Sequence, residues 1–205
     1  MKTVFKFKTE FWIPTYTKIS ATTIYDFRIG LKIIPPNSLL YHFYINIFNY
    51  HSVPSIYTNS FAYWFYKNGY YQIGEEISSI DPTDYFDIEK LRQDLIDIIS
   101  RYQEQDTKTL SEPFLFLSIQ RNIFHTNLKA TNLEELIDGI KKSSINSIFY
   151  HLITSKVDNK KAINDYSEFL NLIGQYNKAE LINKIDVYAL NLYEIKELIL
   201  EVLTK

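Results

Sequence analysis

A chain of 205 residues, 46% of them hydrophobic, can bury one medium core or two small ones without covalent staples. It contains no cysteine, which excludes disulfides and thiolate metal sites. Its 22 basic and 24 acidic residues are scattered and the net charge is −2, without the basic stripe of a nucleic-acid binder.

The N-terminus reads Val4-Phe5-Lys6-Phe7-Lys8, an alternation with period two that predicts a strand. A helix is expected over about 23–34, with Ile24, Phe27 and Leu31 at helical spacing. Pro35-Pro36 open the next helix, which carries Tyr41-His42. Its apolar stretch, Leu39 to Phe48, is too short to cross a bilayer and contains His42 and Asn46. With no apolar run of signal-peptide length at the start, these features predict a soluble, cytoplasmic protein without membrane contact. The segment 46–58 holds Ser52, Pro54 and Ser55 and is expected to be an exposed loop or lid. Phe61, Trp64 and Phe65 mark a third helix, with a short one near 70–80 and a last one over about 87–102. Residues 103–108 are polar and form the expected linker.

After the linker the order repeats. Phe114-Leu115-Phe116-Leu117 is a second strand, and a helix is expected over about 132–143, with Thr131 and Glu134 as a capping box. A Tyr150-His151 helix follows, then one holding Tyr166, Phe169 and Leu170, a short one near 175–185, and a last one over 191–204 capped by Asn191 with Glu194. Gly30 and Gly139 fall in mid-helix, where glycine costs about 1 kcal/mol, and a close helix crossing is the expected reason.

Asn37-Ser38-Leu39-Leu40-Tyr41-His42-Phe43 lies over Asn146-Ser147-Ile148-Phe149-Tyr150-His151-Leu152, 109 residues later (37 to 146). The same register, without a gap, puts Phe5, Phe7, Thr22 and Gly30 on Phe114, Phe116, Thr131 and Gly139. Further on, Asn59, Gly69, Ile80 and Asp81 match Asn164, Gly174, Ile185 and Asp186 at 105 residues (59 to 164). The sequence therefore predicts a tandem duplication, residues 1–104 and 110–205. Each copy is one N-terminal strand followed by four to five helices, a mainly helical α+β fold with pseudo-twofold related halves. The two strands are expected to pair, since a lone strand cannot satisfy its backbone.

Several of these runs also resemble a known family. Ser38 through Phe43, Ile80-Asp81-Pro82-Thr83-Asp84-Tyr85, Ser147 through Leu152 and Asn164-Asp165-Tyr166 are similar to an uncharacterised bacterial and archaeal family of domains of unknown function, the 5752 series. The resemblance implies an aromatic strand, a Tyr-His helix and an Asn-Asp-aromatic-x-x-Trp helix in each copy, and no assigned reaction. Copy one departs with Ser60 in place of Asp; copy two departs with Phe169 for Trp and Val187-Tyr188-Ala189 for Pro-Thr-Asp.

Few residues are candidates for chemistry. His42 and His151 could act as acid, base or a paired site near a shared axis, or they could bind fixed groups within the helix packing. Asp81 and Asp186 could pair with them, or accept backbone N–H bonds in a turn. Tyr41, Tyr150, Trp64, Asn59 and Asn164 are candidate ligand contacts, but Trp64 has core spacing and the asparagines stand where helix caps belong. His51 and His125 have no histidine counterpart in the other copy. No metal, cofactor or phosphate-loop motif is present, and only five glycines occur. The aromatics, 17 Tyr and 14 Phe, accompany frequent Lys, Asn and Ile, all with AT-rich codons, and carry no functional signal by themselves. The sequence thus points to a non-catalytic interaction or regulatory module for a protein or small ligand. The alternative is a small acid–base enzyme acting on a sugar or nucleotide derivative through the Tyr-His helices.

Overall fold

The computed structural model describes residues 3–48, 57–102 and 108–205, with the side chains of Asn46 and Phe48 excepted. The linker over 103–107, most of the 46–58 segment and His51 lie outside the described residues. At the end of that segment Tyr57 is buried and the Thr58 hydroxyl donates to the Ser78 carbonyl, so the expected exposure does not extend there.

Two strands, β1 (Phe5–Ala21) and β2 (Phe114–Ala130), form a two-stranded antiparallel sheet. The register is read from two matched bonds: the Thr17 hydroxyl donates to the Phe116 carbonyl, and the Thr126 hydroxyl to the Phe7 carbonyl. Both strands run 17 residues, far beyond the short segments the alternation predicts. The buried phase slips: Phe5 and Phe7 are buried, then Glu10 and Trp12; Phe114 and Phe116, then Ser118 and Ile119. Simple alternation ends there although the strands continue.

The first half continues with α1 (Ile24–Ile33), α2 (Pro36–Phe48), α3 (Ser60–Lys67), α4 (Tyr71–Ser78), a 3-10 turn at Pro82–Asp84 and α5 (Ile88–Ser100). The second continues with α6 (Leu133–Lys142), α7 (Ile145–Phe149), a π-helical turn at Tyr150–Thr154, α8 (Ser155–Asn159), α9 (Asp165–Leu172), α10 (Tyr176–Asn183) and α11 (Leu192–Thr204). None of the helices among the described residues is long and apolar enough to cross a membrane.

The chain divides into two compact units. Unit 1 joins Met1–Phe11 to Arg121–Lys205, and unit 2 is Trp12–Gln120. Each division falls inside a strand. The opening residues of β1 therefore pack with α6–α11, and those of β2 with α1–α5.

Unit 2 has an aromatic core. Phe27 stacks on Trp64 with ring centres 5.0 Å apart, and Phe61, Phe65, Phe114 and Phe116 close around it. In unit 1, Phe5 stacks on Tyr166 at 5.4 Å and meets Phe7, Phe169 and His151. The mid-helix glycines have a different cause from the expected helix crossing: strand rings occupy the space. A Cβ on Gly30 would stand 2.4 Å from the Phe116 ring, and one on Gly139 2.4 Å from the Phe7 ring. Gly69 and Gly174, just past α3 and α9, have φ of 83° and 80°, a conformation glycine adopts freely.

Several helix ends are satisfied by side chains. Thr23 and Asp26 form a capping box on α1, and Asn191 with Glu194 forms one on α11. On α6 the expected Thr131–Glu134 box is displaced by one residue. Asn132 is the cap, accepting from Glu135 N–H, while the Glu135 carboxylate accepts from Thr131. A cation meets the C-terminal carbonyls of the first helix in each half: Arg92 donates to Leu31 O, and Lys196 to Lys141 O and Ser143 O.

Candidate functional site

The repeated Tyr-His segments are the places to look for chemistry. In unit 2, α2 presents Asn37, Ser38 and His42 to the opening residues of β2. Ser38 Oγ donates to Leu117 O, Asn37 Nδ2 donates to Ile119 O, and Leu117 N–H donates to His42 Nε2 at 3.0 Å. In unit 1, α7 and the π-helical turn do the same for β1. Asn146 Nδ2 donates to Glu10 O, and Lys8 N–H donates to His151 Nε2 at 2.8 Å. Ser147, which takes Ser38's place, is buried.

These bonds fix the tautomers. A backbone N–H needs a lone pair at Nε2, so Nδ1 carries the proton. His42 Nδ1 donates to Ser60 Oγ at 2.7 Å, and that hydroxyl donates to His42 O. His151 Nδ1 donates to Asp165 Oδ2 at 2.7 Å. Both rings are buried, 3% and 1% exposed. Burial pushes His42 down to about 3. Burial also lowers His151, against the opposing pull of Asp165. The His151–Asp165 pair has the composition of an acid–base dyad, but its working nitrogen already accepts a strand N–H.

A charged group adjoins His151. The Glu10 carboxylate, 0% exposed, accepts from Arg121 Nε at 2.9 Å and from Thr154 Oγ1 at 2.5 Å. Arg121 reaches Asp158 through both terminal nitrogens, at 2.6 and 3.0 Å. Burial would depress the guanidinium, yet Asp158 and Glu10 hold it above its ordinary value. Lys8 Nζ donates to the buried Tyr150 hydroxyl at 3.3 Å.

The other candidates have structural partners. Asp81 accepts from Thr83 N–H and Oγ1, and Asp186 from Tyr188 and Ala189 N–H; neither carboxylate has a histidine among its hydrogen-bond partners. Asn59 caps α3 through Ala62 N–H and donates to Ile77 O. Asn164 caps α9 through Ser167 N–H. Trp64 is in the aromatic core and its indole N–H donates to Glu112 O. Tyr41 is half-buried beside His42. His125 is exposed on β2.

Among the described residues, concavities lie elsewhere. One of about 600 Å³ in unit 1 is lined by Tyr176, Lys178, Leu181, Leu198 and Val202, among others; one of about 470 Å³ in unit 2 is lined by Glu76, Asp81, Asp84, Lys90 and Arg101, among others. Neither is lined by a histidine. Among the described residues no group of three His, Asp or Glu side chains is placed to hold a metal ion.

Sequence reasoning did not single out Glu10, Arg121, Asp158 or Lys8. The signal for Asp165 was available, since it stands where the family pattern has Asp. Glu10 and Arg121 occupy strand positions that simple alternation does not assign to the buried face.

The comparisons with known proteins agree with this architecture. The model of the family of unknown function DUF5752 matches residues 2–204, and the chain belongs to that family. The solved structure of OrfY from Thermoproteus tenax superposes with a TM-score of 0.88 at 24% identity, covering 98% of this chain and 94% of that one. The likeness is one of fold. No curated protein matches.

Proposed function

We propose that this member of the family is a non-catalytic interaction or regulatory module of the cytoplasm, made of two copies of one unit and binding a protein or a small ligand. The observation that carries the reading is the engagement of both histidines. Each has its acceptor nitrogen on a strand N–H and its donor nitrogen on Ser60 or Asp165, so proton transfer to a substrate would first require breaking the fold's own bonds. Apolar side chains remain exposed instead, among them Leu172, Tyr176 and Leu181 of α9 and α10. The even charge balance supports a protein or neutral ligand over nucleic acid.

Matched contacts support the copy relationship. His42–Leu117 corresponds to His151–Lys8, Asn37–Ile119 to Asn146–Glu10, and Gly30–Phe116 to Gly139–Phe7, all at the register of 109 residues (8 to 117).

The alternative, an acid–base enzyme on a sugar or nucleotide derivative, rests on the His151–Asp165 pair. Urea denaturation of His42→Ala and His151→Ala separates the two readings. A fold-holding histidine leaves a strand N–H and a void behind, so each substitution should lower stability by about 1–3 kcal/mol. Asn or Gln should recover part of the loss. Unchanged midpoints in both Ala variants would overturn the non-catalytic reading.

A further inference from the structure

The concavity of unit 1 lies where two helices meet, and unit 2 furnishes the matching helix pair differently. α4 and α10 are each eight residues long, α5 and α11 each thirteen, and α4 packs on α5 as α10 packs on α11. In unit 2 the third residue of α4 is the buried Ile73 and the sixth is Glu76. The Glu76 carboxylate accepts from Arg101, the C-cap of α5, and from the Tyr102 hydroxyl. In unit 1 the third and sixth residues of α10 are Lys178 and Leu181, and Leu181 is 57% exposed. Lys205 takes the C-cap place of Arg101 and pairs along its own helix with Glu201. Lys178 Nζ donates to Val202 O at 3.0 Å. The lining thus carries two ammonium groups against the one carboxylate of Glu201, beside apolar surface from Tyr176, Leu181, Leu198 and Val202.

We propose that this concavity is a binding site for a small organic acid, a carboxylate on an apolar body. The inference rests on the interaction reading and the copy relationship above, and it names the ligand's class. The carboxylate follows from unit 2, where the chain itself brings one, that of Glu76, to the cation at the end of the second helix. In unit 1 Leu181 brings none, and the ligand supplies it to Lys205 and to the further N–H donors of Lys178. The bond from Lys178 to Val202 O offsets the negative end of α11, which would otherwise oppose an anion. The apolar body follows from Leu181 and Tyr176, both exposed at the same place. A volume of about 600 Å³ falls within the range of small-molecule pockets, about 300–1,000 Å³, and favours a small ligand over a protein segment.

The probe is octanoate, with octanol as its uncharged counterpart, titrated into the full chain and followed by amide NMR shifts. Octanoate should saturate, with shifts clustered on α10 and the last turns of α11, and octanol should bind at least about tenfold more weakly, the equivalent of about 1.4 kcal/mol. Leu181→Glu gives unit 1 the carboxylate that unit 2 has and should weaken octanoate at least about tenfold. Leu181→Gln, equally polar but uncharged, should weaken it less. Lys205→Met should weaken octanoate and leave octanol unchanged. No saturable octanoate binding, shifts confined to other elements, equal binding of octanol, or equal losses in Leu181→Glu and Leu181→Gln would overturn the proposal. Should Leu181→Glu fail to fold, undiminished octanoate binding by Lys205→Met overturns it alone. Such a failure leaves the histidine denaturation result standing, and unchanged histidine midpoints refute the module reading whatever octanoate does.

Discussion

Replacing Arg121 by Met tests how the charged group beside His151 is held. Glu10 is completely buried, and its carboxylate relies on Arg121 and one hydroxyl, that of Thr154. The Asp158 side chain is 29% exposed, so its pairing with Arg121 is partly screened and contributes about 1 kcal/mol or less. Removing the guanidinium strands the buried carboxylate, and the loss should be about 3–5 kcal/mol. Asp158→Asn should cost less than about 1 kcal/mol. The positions 109 residues from Glu10 and Arg121 (10 to 119) are Ile119 and Trp12, both buried. The double change Glu10→Ile with Arg121→Trp therefore transplants a pair that the other unit already tolerates, and should recover most of the loss. Urea midpoints with constant slopes measure all of these. A loss below about 1 kcal/mol for Arg121→Met, or a double variant as unstable as the sum of its single changes, would refute the argument.

Acidification should weaken the fold through the histidines. His42 is lowered from 6.5 to about 3, so its stabilisation is complete above pH 6.5 and is lost as pH falls toward 3; at pH 5 the loss is about 2 kcal/mol, read as a falling urea midpoint that His42→Gln flattens. His151 acts in the same direction. Gly139→Ala gains about 1 kcal/mol of helix propensity but drives a methyl into the buried Phe7 ring, an overpacking cost of about 1–3 kcal/mol, so thermal melting should show a net loss that Phe7→Leu in the same chain reduces.

Helices were legible where an apolar period and a side-chain start signal coincide. Thr23, Asn59, Asn164 and Asn191 cap where a reading of the sequence places helix starts. At α6 the adjacent pair Thr131-Asn132 offers two possible caps, and the choice depends on where Glu135 reaches. The strands were legible only at their aromatic beginnings. Beyond Lys8 their register is held by the partner strand and by asparagine and histidine side chains from distant helices, which local periodicity does not encode. The reason for Gly30 and Gly139 was hidden in the same way, because the rings that require them come from the strand of the other half. The histidines were visible as a repeated pair. Their bonding to strand N–H groups depends on that exchange, and no spacing within either half reveals it.

The place that β1 occupies in unit 1 and the place that β2 occupies in unit 2, each a seat for one strand, have unlike side chains, and the difference gives the exchange its direction. Backbone bonds alone would hold either strand in either seat, since Asn37 and His42 make the same contacts as Asn146 and His151. The side chains do not permit it equally. In the seat of unit 2, Glu10 would have to enter the apolar place of Ile119, and burying a carboxylate there costs several kcal/mol. In the seat of unit 1, Ile119 would leave the Thr154 hydroxyl without the carboxylate it now meets, and Leu117 could not donate to Tyr150 as Lys8 does. Each seat therefore rejects the strand that begins its own half and favours the strand from the other. The charged residues around His151 thus favour β1 over β2 in unit 1, a structural role that requires no reaction.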